Sequence, residues 1–265
     1  MINLDIFIDE PAEVYHDKAK EHLSSHQLLT FMRCPYLYAK KKAGLVTDID
    51  SPSYFLGRAA HTRILEGMSV YESQYAVGGP INPTTGKPFG STTKKFLEWQ
   101  GAQRKPVIPF EKADMIEAMN AGVSMNPYAC ELLGQGKAEG VVRTTYRDFP
   151  CQIRIDWTNP KLGIVDLKTC DDLTWFESDA KRFEYHHQLA FYQAVLEKTV
   201  GDSVPVFIVA VEKKEPFRCG VWQLPSETLL IARTEIEAAM ERLKDAQATG
   251  NFVTGYEELR YLFLN

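Results

Sequence analysis

The chain has 265 residues, 45% of them hydrophobic and 25% charged, with a formal net charge of −5. That length can bury a substantial core in one large domain; no run approaches the roughly 18–20 apolar residues of a membrane helix, and the acidic balance disfavours a protein that coats nucleic acid through bulk charge. The first residues carry acids where an export signal carries positive charge, which predicts a cytoplasmic location and no membrane partner. The five cysteines form no CxxC pair, so a zinc ribbon or a four-cysteine iron–sulfur cluster is excluded and reduced thiols are expected.

Ser24 with Gln27 three residues on is a capping-box pattern, and Leu28, Phe31 and Met32 repeat at helical spacing until Pro35 restarts the chain. Two short helices are predicted there. Ser53 can cap a helix that runs through Glu66 and stops at Gly67, placing Gly57, His61 and Leu65 along one face. The Gly- and Pro-dense segment 78–90 reads as a long surface loop. Helical patterns follow at 92–103, 111–123 and 128–133. Arg33 with Lys40, Lys41 and Lys42, and the stretch 92–112 with five basic residues against two acidic ones, are candidate DNA tracks or equally solvated helix faces.

From Ala138 to Thr169 the period becomes strand-like in GVVRTTYR, CQIRIDW and LGIVDLKT, separated by turns at Asp148–Pro150 and Thr158–Pro160. Helices at 173–182 and 185–198, the strand VPVFIVAVE, a second strand near GVWQL and a long helix at 226–248 complete the pattern. Helices flanking a mixed sheet make this an α/β protein.

If the turn between the second and third strands centres near Lys161, Asp156 lies opposite Asp166. Alternation then places Arg154, Asp156, Asp166 and Lys168 on one face, and Ile153, Ile155, Val165 and Leu167 on the other. Carboxylates this close cannot both ionise cheaply without a cation between them. A hard divalent ion, Mg²⁺ or Mn²⁺, suits two carboxylate oxygens and a substrate phosphate. Lys168 could orient or deprotonate an attacking water. Taken alone, however, D-x-K also describes a surface strand with an Asp166–Lys168 ion pair.

The set Glu139, Asp156 in RIDW, Asp166 and Lys168 in IVDLKT, and Gln188 and Tyr192 in YHHQLAFYQAVLE resembles the PD-(D/E)XK nuclease superfamily, within it the RecE-like and RecB-like exonucleases. The upstream block GRAAHTRILE, LSSHQLLTFMRCPYLYAKKKAG and VAVEKKEPF are similar to further blocks of that group. The proline of the superfamily's name is absent beside Asp156. The resemblance implies a restriction-endonuclease-like core with an N-terminal helical elaboration: a single nuclease domain over 1–265, with His61 in a mainly helical part (1–135), the catalytic sheet in 136–225 and a helix and tail in 226–265.

It implies a metal held by His61, Asp156, Asp166 and the Leu167 carbonyl, catalysis by Asp156, Asp166 and Lys168 supported by Gln188 and Tyr192, and a DNA-facing or outer role for Glu139 and Arg154. His186 and His187 match no ligand position and read as capping or surface residues. The implied activity is Mg²⁺-dependent exonuclease digestion of double-stranded DNA ends, from the five-prime strand, by a homo-oligomer around the duplex, working with a single-strand annealing protein in phage-type recombination. A RecB-like repair nuclease subunit and a non-catalytic DNA-binding module on the same fold are the alternatives.

Overall fold

In the computed structural model, which describes residues 1–263, the chain forms seven strands and eleven α-helices among the described residues. The N-terminal half is helical: α1 (Ala12–Lys18), α2 (Ser25–Arg33), α3 (Pro35–Lys42), α4 (Pro52–His61), α5 (Met68–Gln74), α6 (Lys94–Gly101), α7 (Phe110–Ser124) and α8 (Pro127–Gly134). Two short strands, β1 (Ala76–Val77) and β2 (Val107–Ile108), pair in parallel and bracket the Gly- and Pro-rich segment together with α6. Then come β3 (Lys137–Tyr146), β4 (Phe149–Asn159), β5 (Gly163–Cys170), α9 (Phe176–Arg182), α10 (Tyr185–Val200), β6 (Val206–Glu212), β7 (Cys219–Gln223) and α11 (Ser226–Thr249).

The main sheet has the order β3-β4-β5-β6-β7 and is antiparallel except between β5 and β6, which α9 and α10 connect. A parallel pair needs such a crossover, and here it lays α10 across the sheet. Nine residues of α10 are buried, and with Ile236 and Met240 of α11 and Leu28 and Phe31 of α2 they cover one face, over Ile153, Ile155 and Ile164. On the other face α4, α7 and α8 pack Leu56, Ile116, Met119 and Leu132 against Val165, Leu167 and Val209. Burying each such aliphatic side chain contributes about 1.5–3 kcal/mol.

The β4–β5 turn is fixed by Asn159, whose Oδ1 accepts the N–H groups of Lys161 and Leu162 at 3.0 and 3.1 Å. Gly163 then takes φ +126, where an added Cβ would lie 2.1 Å from the Pro205 carbonyl oxygen. This turn sets the register Trp157↔Val165, which is the one expected for a turn near Lys161.

Several boundaries differ from expectation. The capping box of Ser24 and Gln27 forms, but the helix bearing His61 is capped by Ser51, whose Oγ accepts the Tyr54 N–H at 3.2 Å, with Pro52 in its first turn. Ser53 is inside it. After His61 the helix widens into a π-turn over Thr62–Glu66 before Gly67 stops it at φ +88. The β3–β4 turn is made by Arg147 and Asp148, both left-handed, so Phe149 and Pro150 belong to β4. Pro150 is tolerated because β5 pairs only with Trp157–Asn159; the free edge beside Pro150 instead gives its carbonyl to the Leu23 N–H at 2.7 Å.

The expectation that Ile153, Ile155, Val165 and Leu167 share a face is corrected. All four are buried, but Ile153 and Ile155 serve the α10 side and Val165 and Leu167 the α4 side. The switch falls at Glu139, whose φ of 54 takes it out of the ladder between Ala138↔Trp157 and Gly140↔Ile155. Ala138 and Trp157 face the α4 core, whereas Val142 and Ile155 face the α10 core.

Candidate metal and nuclease site

Where the β4–β5 ladder stops, the two strands part, and the site lies in that gap. Asp156 is the first residue of β4 beyond the ladder; its Oδ2 accepts the Leu167 N–H at 2.9 Å, replacing the strand's missing backbone partner with a carboxylate. Asp166 lies at the matching position of β5 and is held on its far side by pairing with Ile208 of β6. The left-handed backbone of Glu139 turns its carboxylate to the same place.

α4 delivers His61 from the other side of the sheet. Its small residues allow close approach: Ala59 and Ala60 are fully buried, and a Cβ on Gly57 would lie 3.6 Å from Thr169 Oγ1 of β5. His61 Nδ1 thereby comes within 3.6 Å of Asp156 Oδ2. Ligand atoms of His61, Glu139 and Asp156 all lie within 4.8 Å of one another. Glu139, expected at the periphery, is thus within ligand reach. Asp166 is not one of these three but shares their field, since Asp156 raises its proton affinity and both Asp156 and Asp166 raise that of Glu139.

Burial of several acids together dominates the electrostatics. Burial, then repulsion from Asp156, pushes Glu139 up to about 8. Burial raises Asp166 to about 6 against the opposing pull of Lys168, and burial also raises Asp156. His61 moves the other way, to about 4, through burial and then the Lys168 charge, although the adjoining Leu167 carbonyl favours its protonated form. At neutral pH the imidazole is therefore neutral, with a lone pair available as a ligand.

Asp166 is 1% exposed, and neither of its oxygens accepts a hydrogen bond. Lys168 Nζ approaches Oδ2 to 2.7 Å, off the hydrogen-bond direction, and burial of the ammonium is outweighed by Asp166 and Asp156, so its proton is held more firmly than usual. The exposed surface pair that D-x-K alone allows is therefore not what forms. An orphaned buried carboxylate beside two further acids and a neutral imidazole is a donor set that fits a divalent cation. His61, Asp156, Asp166 and Glu139 are the side chains that could hold it, with the Leu167 carbonyl adjoining.

The supporting residues are only partly where expected. Gln188 donates from Nε2 to Tyr192 Oη at 3.1 Å, so it steadies Tyr192 and not the lysine. Tyr192 is 5% exposed and faces the acids: burial, then Tyr15 and Asp156, holds its phenol well above the usual range. Lys168 instead lies 4.8 Å from the ring centre of Tyr185. Arg154 Nε lies 2.8 Å from Glu139, and its charge favours the ionised form of both Glu139 and Asp156.

Tyr185, Tyr15 and His26 were not singled out from the sequence. Tyr185 precedes Gln188 and Tyr192 by three and seven residues, so helical spacing could have found it. His26, at the start of α2, feels the charges of Lys168 and Asp166, a proximity that only tertiary packing reveals. Of the proposed basic tracks, Arg33 pairs with Glu184, Lys41 with Asp48, Lys42 bonds the Lys20 carbonyl at 2.7 Å, and Lys105 bonds the Glu72 carbonyl at 2.8 Å. These cations already have protein partners.

Comparison with known proteins identifies the family and the fold. The family model described as "PDDEXK-like domain of unknown function (DUF3799)" matches residues 24–262. A crystal structure of a "putative exonuclease" from Eubacterium rectale superposes with a TM-score of 0.70 over 97% of each chain at 15% identity, a likeness of fold. No functionally curated protein matches the sequence.

Proposed function

The chain belongs to the PDDEXK-like family, and from that premise we propose that it is a divalent-metal-dependent DNA exonuclease, with Mg²⁺ as the working ion and Mn²⁺ as a substitute. The observation that carries this reading is the meeting of His61, Glu139 and Asp156 with the buried carboxylate of Asp166 and the Lys168 ammonium paired to it, in the gap between β4 and β5.

When bound, the ion would polarise a phosphate and lower the proton affinity of a water. Lys168, held beside Asp166, orients the attacking water and offsets charge developing on the phosphate oxygens. The water oxygen bonds to phosphorus and gives up a proton to solvent, the bridging P–O bond breaks, and the departing oxygen takes up a proton from solvent. Asp156 is kept in place by the Leu167 N–H, and Tyr192, steadied by Gln188, closes the side of the site toward α10. Arg154 keeps Glu139 oriented.

The finer parts of the reading are a double-stranded end as substrate, resection of the five-prime strand in phage-type recombination, a homo-oligomer around the duplex and a single-strand annealing protein as partner. The whole chain acts as one nuclease unit to which the helical N-terminal part contributes His61. The largely exposed Tyr256, Leu259, Tyr261, Leu262 and Phe263 offer an apolar surface of the kind such assembly uses. No described helix is long and apolar enough to cross a membrane.

The test uses linear DNA labelled at either end and closed circular DNA, with Mg²⁺ or with a chelator. Mg²⁺-dependent loss of the five-prime label from linear duplex, with the circle intact, is expected. Cleavage of the circle would make the protein an endonuclease, and inert DNA in every lane would leave a binding module.

A further inference from the structure

Apart from the nuclease site, one other place among the described residues brings three metal-ligating side chains together: His186 and His187 at the start of α10 and Glu235 on α11. Their ligand atoms lie within 4.8 Å of one another. The two imidazoles sit side by side, ring centres 4.1 Å apart and planes inclined by 39°, although consecutive residues of a helix ordinarily diverge. His187 is 7% exposed, and its Nε2 is 2.5 Å from Glu235 Oε2. Its Nδ1 is buried and has no partner.

Neither neutral tautomer of His187 satisfies this arrangement. With the proton on Nε2, the Glu235 contact is a hydrogen bond and the Nδ1 lone pair is left buried and unused. With the proton on Nδ1, the Nε2 lone pair faces a carboxylate with nothing between them, and Nδ1–H lacks an acceptor. A cation bound by Nε2 and the carboxylate, which must part from 2.5 Å to about 3 Å to receive it, removes the lone-pair clash of the second tautomer, and His186 supplies a further nitrogen.

We propose that His186, His187 and Glu235 form a second metal site, selective for a borderline ion such as Zn²⁺ over Mg²⁺. Two imidazoles and one carboxylate suit Zn²⁺, which takes four ligands, whereas Mg²⁺ prefers oxygen donors in octahedral array. The Glu235 side chain is 53% exposed, so water can reach the fourth position. The ion would tie the first turn of α10 to α11 and thereby steady the segment whose Tyr185 ring lies 4.8 Å from Lys168. The site is independent of the nuclease reading and would bind Zn²⁺ whether or not DNA is cleaved.

The experiment strips the full chain of metal, titrates it with Zn²⁺ by calorimetry and with Co²⁺ by visible absorption, and compares wild type with Glu235→Gln, His187→Gln and His61→Ala. Glu235→Gln is near-isosteric at a half-exposed position, so it preserves the fold even where His187→Gln does not. Expected is a Zn²⁺ equivalent, separate from any bound at the nuclease site and with tetrahedral Co²⁺ absorption, that His61→Ala retains and that Glu235→Gln weakens by about 10-fold or more, on the scale of losing a metal-site partner. Unchanged stoichiometry and affinity in Glu235→Gln, or a single Zn²⁺ equivalent that His61→Ala abolishes, would overturn the proposal.

Discussion

Replacing Lys168 with alanine removes the ammonium 2.7 Å from a carboxylate that is 1% exposed. Without metal this leaves a buried charge uncompensated, so the variant should be less stable than wild type, by up to about 3–5 kcal/mol. With Mg²⁺ present the ion replaces that compensation. DNA affinity should then stay within a few-fold while single-turnover cleavage falls by about 10² or more. Wild-type turnover in the folded, metal-loaded variant would remove Lys168 from the chemistry.

Glu139 gives a second outcome at this scale, read from pH. Its folded affinity for a proton, raised to about 8 by burial and Asp156, exceeds that of a free glutamate, so from the free value up to about 8 the folded state holds a proton that the unfolded state has lost. Stability of the metal-free protein therefore falls as pH rises through this window. Asp166, raised to about 6, acts in the same sense at lower pH, while His61, lowered to about 4, opposes it below its ordinary value of 6.5. The clearest fall is thus expected between about 6.5 and 8. Thermal denaturation at pH 6.5 and 8 should show it without metal, lose it in Glu139→Gln, and find it reversed by Mg²⁺, which favours the ionised carboxylates. A flat profile in metal-free wild type would mean Glu139 ionises freely.

At the scale of elements, α4 matters through its fit to β5. A methyl on Gly57 would meet Thr169 Oγ1 at 3.6 Å, an ordinary contact, so Gly57→Ala should retain activity. Gly57→Leu adds volume that the interface lacks and should cost about 1–3 kcal/mol. By pushing α4 from β5 it should also withdraw His61, so metal affinity should drop in the fraction that remains folded. Normal metal affinity in Gly57→Leu would show that His61 is placed by something other than this contact.

How much of this could be read in the sequence varies by element. The Asp156/Asp166 register was legible because Asn159 and Gly163 form a local turn and alternation carries outward from it. The crossing of Ile153 and Ile155 to the α10 core was not, since it depends on Glu139 adopting a left-handed backbone that no glutamate announces. Ser51-Pro52 was a better cap signal than Ser53 and was there to be used. The π-turn after His61 and the approach of α2 to the field of Lys168 arise from packing between distant segments, on which local periodicity is silent.

At the scale of the molecule, the net charge of −5 and the protein partners of Arg33, Lys41, Lys42 and Lys105, four of the nine cations in the two candidate tracks, reduce the charge free for long DNA contacts. Affinity for linear duplex in Ca²⁺ should therefore decline only gently with salt, as for a protein that neutralises few phosphates, since each one neutralised contributes a slope of about 0.9. A slope as steep as that of a protein contacting six to ten phosphates, by the same relation, would show that the helical surfaces form a track after all.

A single divalent ion held where β4 and β5 part would join all these residues in one site. Crystals of the protein soaked in Mn²⁺ test it directly through the anomalous signal of manganese. The expected result is a peak within direct coordination distance of Asp156, Asp166 and His61, lost in Asp156→Asn. A fully occupied manganese elsewhere, with this gap empty, would contradict it.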